Sequence, residues 1–91
     1  MKLENKIAIV TGGGKGIGEE ICLGLAKEGA KIVVADLDKE NSSKVVQTII
    51  QNNGDAIFIE TDVSNEVSVN NLISDTINKY NQIDILIIMQ E

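Results

Sequence analysis

The apolar positions of the chain fall into four short continuous runs, and between them apolar residues recur at helical spacing. The runs occupy residues 7–10, 31–36, 56–60 and 83–89 and are rich in β-branched side chains, a pattern typical of strands buried on both faces. The helical spacing predicts helices at residues 16–29, around residues 45–50 and at residues 69–80. Strands that alternate with helices in this way predict right-handed crossovers, a parallel sheet and an α/β fold.

Polar residues mark the predicted element ends. The second strand ends at Asp36, and the segment Asp36-Leu37-Asp38 also supplies a cap for the second helix. Ser64 is the predicted cap of the third helix. Cys22 falls on the inner side of the first helix, where we expect a small core residue rather than a reactive thiol.

Size and charge narrow the classes of function. With 91 residues the chain builds one domain at most, and residues 1–91 are assigned to it. The net charge of −6 argues against nucleic acid as a partner, because nucleic-acid binders rely on clustered Lys and Arg. No apolar run is long enough for a secretory signal or a membrane span, and a single cysteine cannot form an internal disulfide. We expect a cytoplasmic protein.

The segment TGGGKGIG at residues 11–18 joins the first strand to the first helix. A pyrophosphate can meet free backbone N–H groups and the positive end of the helix dipole there. The spacing is T-G-x-x-x-G-x-G rather than G-x-G-x-x-G, and a Walker loop is excluded because Lys15 is followed by Gly16. Two alternatives remain at this point: a merely flexible turn, and the glycine loop of an S-adenosylmethionine methyltransferase.

Thr11, Gly12, Gly16 and Gly18 resemble the cofactor motif of classical short-chain dehydrogenases/reductases. Asp62-Val63 and Asp84-Ile85-Leu86 fall where that family has its later motifs, so the resemblance covers nearly the whole chain. It implies a Rossmann-type three-layer parallel sheet, truncated after the fourth strand, that binds a dinucleotide. The implied cofactor-binding residues are Gly12, Gly14, Lys15, Gly16, Ile17, Gly18, Asp36, Leu37, Asp62 and Val63. By the same resemblance, Asp62 and Val63 would hold the adenine, although Asp62 could instead only cap the next helix.

Asp36 favours NAD over NADP. It lies about 20 residues beyond the glycine loop, where a carboxylate can accept hydrogen bonds from both hydroxyls of the adenosine ribose. A 2′-phosphate would meet like charge there, and two unit charges ~4 Å apart repel by about 4 kcal/mol at an effective dielectric near 20. Lys15 favours NADP, because this loop position is often basic in the NADP-preferring members that the sequence resembles.

The resemblance breaks at the end of the chain. Family members follow Asp-Ile-Leu with one apolar residue and Asn-Asn-Ala-Gly, whereas residues 87–91 read Ile-Ile-Met-Gln-Glu. Loss of one A from the codons ATA AAT AAT GCA GGA gives ATA ATA ATG CAG GA, which encodes Ile-Ile-Met-Gln and then Glu or Asp. We therefore expect a single-base deletion near codon 87, which sequencing of the gene would test. A chosen chain boundary is the alternative, but it does not account for the altered residues.

The same break removes the expected chemistry. The family's catalytic Asn, Ser, Tyr and Lys come from later segments, and Tyr80 precedes the fourth strand, so no catalytic residue and no metal site are predicted. We expect a fragment that holds at most the adenosine half of the cofactor, weakened by Glu91 where the family has a glycine. The apolar edge at residues 85–88 predicts self-association, and the alternative function is a non-catalytic interaction module that pairs through this edge.

Overall fold

The structure, a computed structural model, describes residues 1–89. Strands and helices alternate along this part of the chain. The expectations for Gln90 and Glu91 lie outside these residues. In chain order the elements are β1 (Ile7–Thr11), α1 (Gly16–Lys27), β2 (Lys31–Asp36), α2 (Lys39–Gln51), β3 (Ala56–Glu60), α3 (Glu66–Tyr80) and β4 (Ile85–Ile87).

All paired strands run parallel, in the order β3-β2-β1-β4. β1 lies inside the sheet, with Ile7 opposite Lys31 on one side and Ala8 opposite Ile85 on the other. Every residue of β1 is buried, which explains its continuous apolar run. The predicted parallel α/β fold of Rossmann type is confirmed.

Helices cover both faces of the sheet and make three layers. Alternate residues of β1 point to opposite faces. Ala8 and Val10 pack with Cys22 of α1 and with Val45 and Ile49 of α2. On the other face, Ile9 packs with residues of β2 and α3; this second cluster consists of Ile9, Val33, Ala35 and Leu72. Since α1 and α2 cover one face of the sheet and α3 covers the other, the inner strands β1 and β2 are shielded from water on both faces.

β4 is shorter than the predicted strand at residues 83–89. Before the strand, the backbone N–H of Asp84 donates to the carbonyl of Ile7 at 2.9 Å, and the Asp84 carboxylate accepts from the Ile7 N–H at 2.8 Å. After it, the N–H of Met89 donates to the Thr11 hydroxyl at 2.8 Å instead of to a backbone carbonyl. A side-chain acceptor therefore takes one N–H at each end of β4, that of Ile7 before the strand and that of Met89 after it.

The cap of α3 was predicted wrongly. Asn65, not Ser64, is the N-cap, and its side-chain oxygen accepts from the Ser68 N–H at 2.9 Å. Ser64 donates instead from both its N–H and its hydroxyl to Asp62. The predicted cap of α2 is correct, because Asp38 accepts from the Asn41 N–H at 3.0 Å.

Candidate functional site

The carboxyl ends of the parallel strands meet at one edge of the sheet, and every predicted cofactor residue lies at or just beyond that edge. The connection after β1 carries the glycine loop, that after β2 begins at Leu37, and that after β3 contains Asp62. The chain passes from β1 to β2 on one side and returns to β4 on the other. This reversal makes a crevice at the carboxyl end of β1, where ligands of open parallel sheets bind.

Two glycines of the loop are required by backbone conformation. Gly12 has φ +67° and Gly16 has φ +61°, values that side-chain-bearing residues rarely adopt. The Gly12 N–H donates to the carbonyl of Ala35 at 2.7 Å and so ties the start of the loop to β2. The start of the loop is thus a turn of defined backbone conformation that is bonded to β2.

Two further glycines are required by close packing. A Cβ at Gly18 would overlap the carbonyl of Gly12, so α1 can lie against the start of the loop only without a side chain at this point. A Cβ at Gly14 would lie 2.6 Å from the Ser42 hydroxyl and 2.9 Å from Asp36 Oδ2. The glycines therefore allow the loop to lie directly on α2 and on the end of β2.

Helix α1 begins without a side-chain cap. Its N-cap is Lys15, in extended conformation, and no side chain accepts a hydrogen bond from the first turn. Asp38 and Asn65 do provide such caps for α2 and α3. Since the first N–H groups of a helix have no intrahelical acceptor, the start of α1 presents donors and the positive end of a helix dipole to a ligand.

The Asp36 carboxylate is held in place from two directions. Its Oδ2 accepts from the Gly14 N–H at 3.0 Å, and its Oδ1 accepts from the Asp38 N–H at 3.1 Å. Each carboxylate oxygen has two acceptor sites, so both oxygens keep one for a ligand. The acid is partly exposed beside the glycine loop, as binding of ribose hydroxyls requires.

Lys15 is exposed and lies close enough to Asp38 for its charge to matter. The pKa of Asp38 is lowered chiefly by the N–H and side chain of Asn41, and the positive charge of Lys15 contributes to the same shift. The carboxylates of Asp36 and Asp38 thus bracket the turn after β2, and the charge of Lys15 acts on Asp38.

Asp62 and Val63 follow β3 next to the end of β2, because the Thr61 N–H donates to the carbonyl of Asp36 at 3.0 Å. Both donors of Ser64 bind Asp62 Oδ1 and lower the pKa of this acid. Asp62 therefore organises the turn before α3 and is not its N-cap.

Three of the predicted cofactor residues are apolar and exposed: Ile17, Leu37 and Val63, which keep 66%, 61% and 48% of their surface accessible. They follow β1, β2 and β3 respectively and lie beyond the carboxyl edge of the sheet. Exposed apolar side chains around polar anchors are typical of nucleotide pockets.

Two side chains of reactive type, Cys22 and Tyr80, do not open onto the crevice, although the buried Cys22 thiol donates to the Gly13 carbonyl of the glycine loop at 3.8 Å. Cys22 is fully buried and burial raises the pKa of its thiol to about 12. Tyr80 lies at the opposite end of the sheet, where the ammonium of Lys31, the first residue of β2, sits 5.8 Å from its ring centre. Burial, helped by Asp55, raises the pKa of Tyr80 to about 12.

Two further residues shape the site: Thr11, which belongs to the predicted motif but was not among the predicted cofactor-binding residues, and Ser42, which was not predicted at all. Thr11 is buried and its hydroxyl accepts the Met89 N–H, which fastens the end of β4 to the start of the glycine loop. Ser42 is fully buried against Gly14 and Asp36. Spacing could have indicated Ser42, because it precedes Val45 and Ile49 on the buried face of α2.

A parallel sheet with a glycine loop, an uncapped helix start and an acid after the second strand is the arrangement of the Rossmann-type fold. Residues 6–89 match the family model described as short chain dehydrogenase. The chain belongs to the short-chain dehydrogenase family, whose members bind a nicotinamide dinucleotide. This membership decides against the methyltransferase alternative.

Relatives of known sequence and structure agree with this assignment. The chain is 39% identical over 85 residues to an uncharacterized oxidoreductase of Thermotoga maritima, covering 93% of this chain and 33% of that protein. It is 37% identical over 87 residues to the 7alpha-hydroxysteroid dehydrogenase of Escherichia coli, and the match covers 96% of this chain and 34% of that protein. The crystal structure of hydroxysteroid dehydrogenase from Escherichia coli superposes with a TM-score of 0.93 at 37% identity, covering 96% of this chain and 37% of that one. The chain spans about a third of the length of these relatives.

No helix within residues 1–89 is both long enough and apolar enough to cross a membrane.

Proposed function

We propose that residues 1–91 form a partial Rossmann domain that binds the adenosine half of a nicotinamide dinucleotide, with NAD preferred over NADP. The observation that carries this proposal is the Asp36 carboxylate, fixed by Gly14 and Asp38 beside an uncapped helix start. The function of the longer family members, hydride transfer between nicotinamide and an alcohol or carbonyl substrate, needs acid–base residues that we assign to none of these 91 positions.

Each part of the cofactor has a matching group in the chain. The backbone of the glycine loop and the first N–H groups of α1 are proposed to hold the pyrophosphate, through Gly12, Gly14, Lys15, Gly16, Ile17 and Gly18. Asp36 would accept hydrogen bonds from the ribose hydroxyls, and Leu37, Asp62 and Val63 would contact the adenine. When bound, the nicotinamide of the cofactor supplies a hydride acceptor or donor.

The preference for NAD rests on charge. A 2′-phosphate would approach the partly exposed Asp36 carboxylate, and two unit charges of like sign ~4 Å apart repel by about 4 kcal/mol at an effective dielectric near 20. Lys15 opposes this, but it is an exposed cation whose charge acts on Asp38. An exposed ion pair contributes only about 0–1 kcal/mol, so the repulsion dominates.

Calorimetric titration of the chain with NAD and NADP tests the proposal. We expect saturable NAD binding, weaker NADP binding, and at least tenfold weaker NAD binding by Asp36→Asn, which keeps one acceptor oxygen but loses the charge. Asp75→Asn makes the same charge change on the exposed surface of α3 and should bind NAD like the wild type. Absence of saturable NAD binding, or tighter binding of NADP, would contradict the proposal.

A second proposal concerns the outer edge of β4. β4 ends the sheet, and within residues 1–89 no strand pairs with its outer side. Leu86 and Ile88 keep 49% and 57% of their surface exposed. An open apolar edge is a template for another strand, so we propose self-association through β4. Sedimentation velocity should show a dimer that Leu86→Lys disperses, and a wild-type monomer at all concentrations would refute this.

The proposed compartment is the cytoplasm. Its support is the single thiol, which is buried and free, together with the absence of any sequence feature that calls for an oxidising environment. Fractionation of cells that express a tagged chain tests this, with the protein expected in the cytosolic fraction and its appearance elsewhere contradicting it.

A further inference from the structure

Ser42 carries a buried hydroxyl that has no hydrogen-bond partner among residues 1–89. The residue lies in the first part of α2 and is fully inaccessible to water. Its N–H donates to the carbonyl of Asp38 in the ordinary helical pattern, so only the side chain is unused. A buried hydroxyl without a partner costs about 1–3 kcal/mol, which makes its presence in a small core unusual.

The hydroxyl faces the polar centre of the site. A Cβ placed on Gly14 would lie 2.6 Å from Ser42 Oγ and 2.9 Å from Asp36 Oδ2, so both oxygens border the same point in space. Asp36 Oδ2 already accepts the Gly14 N–H at 3.0 Å. Ser42 and the Gly14 amide are thus two donors beside one carboxylate oxygen, and only the amide is engaged.

We propose that Ser42 is a positioning residue for Asp36, an inference that rests on the proposed cofactor site. When a ribose hydroxyl or phosphate oxygen binds the Gly14 N–H, Asp36 Oδ2 loses its donor, and the Ser42 hydroxyl takes its place. The carboxylate then keeps its orientation toward the ribose hydroxyls instead of rotating toward solvent. The exchange needs no access of the ligand to Ser42, because Ser42 acts through Asp36.

The experiment compares Ser42→Ala with the wild-type chain in calorimetric titrations with ADP and with 2′-deoxy-ADP. ADP carries the adenosine ribose and pyrophosphate but no nicotinamide. A hydrogen bond to a charged group is worth about tenfold in affinity, so Ser42→Ala should bind ADP about tenfold more weakly. The loss of affinity caused by Ser42→Ala should be smaller for 2′-deoxy-ADP, because this nucleotide lacks one of the ribose hydroxyls that the Asp36 carboxylate would bind.

Ser43→Ala is the matched control, since it makes the same change at the next, partly exposed position of α2 and should bind both nucleotides like the wild type. Thermal unfolding without nucleotide checks the fold: Ser42→Ala removes an unpaired buried hydroxyl and should unfold no earlier than the wild type. If Ser42→Ala, Ser43→Ala and the wild type bound ADP with equal affinity, the proposed role of Ser42 would be wrong, but the proposed cofactor site would not be affected. Failure of the wild type to bind ADP would overturn the cofactor site and Ser42 together.

Discussion

Two glycines of the same helix should respond in opposite ways to the same substitution. In an exposed helix interior, Gly→Ala stabilises by about 1 kcal/mol because alanine loses less backbone entropy. Gly24 is exposed in α1 and a Cβ there meets no atom within 4 Å, so Gly24→Ala should gain this amount. A shift of 1 kcal/mol moves the unfolding midpoint of a chain of this size by about 4–8 °C, here upward.

Gly18→Ala should gain the same free energy from helix propensity as Gly24→Ala, but the atoms around the added methyl group differ. A Cβ there overlaps the carbonyl of Gly12 and approaches Gly13 Cα at 3.0 Å, and these are backbone atoms that cannot rotate away. Overpacking costs about 1–3 kcal/mol, and a backbone clash belongs at the upper end, so Gly18→Ala should lose about 2 kcal/mol net. Its midpoint should therefore fall by about 10 °C.

Thermal and urea unfolding of both variants, followed by circular dichroism, measure the difference. The pair controls for the chemistry of the change, because both replace a hydrogen by a methyl group in α1. If Gly18→Ala were as stable as Gly24→Ala, the close contact between α1 and the glycine loop would not exist, and the reasoning about the site would fail with it.

Two further predictions concern titratable groups. In the folded chain, hydrogen bonds lower the pKa values of three acids: Asn41 acts on Asp38, Ser64 on Asp62 and the Ile7 N–H on Asp84. Because these pKa values lie below those of the unfolded chain, the acids stabilise the fold above pH about 4. This stabilisation is lost as the pH falls through the lowered pKa values. Urea midpoints should drop from pH 6 to pH 3, and Asp84→Asn should reduce that drop, whereas an unchanged drop would contradict this role. The thiol of Cys22, with its pKa raised to about 12, should resist an aromatic disulfide reagent at pH about 8 until the chain is unfolded in urea, and rapid labelling of the folded chain would show that the residue is not buried.

The order and type of the elements could be predicted because buried parallel strands leave continuous apolar runs. β2 and β3 have the predicted bounds, since Lys31 and Ala56 begin apolar runs that end at acids. The ends of β4 could not be predicted, because they depend on hydrogen bonds from distant residues. The Thr11 hydroxyl takes the Met89 N–H, and nothing in the local sequence shows this.

Choices between chemically similar neighbours were also beyond the sequence. Ser64 and Asn65 are both good caps, and Asn65 is selected because Asp62 binds Ser64. Ser42 and Ser43 likewise differ only in the direction that α2 gives them, which depends on packing against the glycine loop. Spacing alone predicted the glycines, but whether each is needed for its backbone angle or for close contact depends on how the loop packs against α1, α2 and β2.

The turn after β2 has a consequence for any attempt to change the cofactor preference. Asp36 accepts the N–H of Asp38, and Asp38 in turn caps α2, so the residue that we propose to select against a 2′-phosphate also supports the start of a helix. A replacement chosen only to bind a 2′-phosphate would remove the hydrogen bonds by which Asp36 stabilises the glycine loop and the turn before α2. Redesign of this position is therefore coupled to folding, and a neutral substitute that retains one acceptor oxygen, such as Asn, should be tolerated better than a basic residue, which retains none.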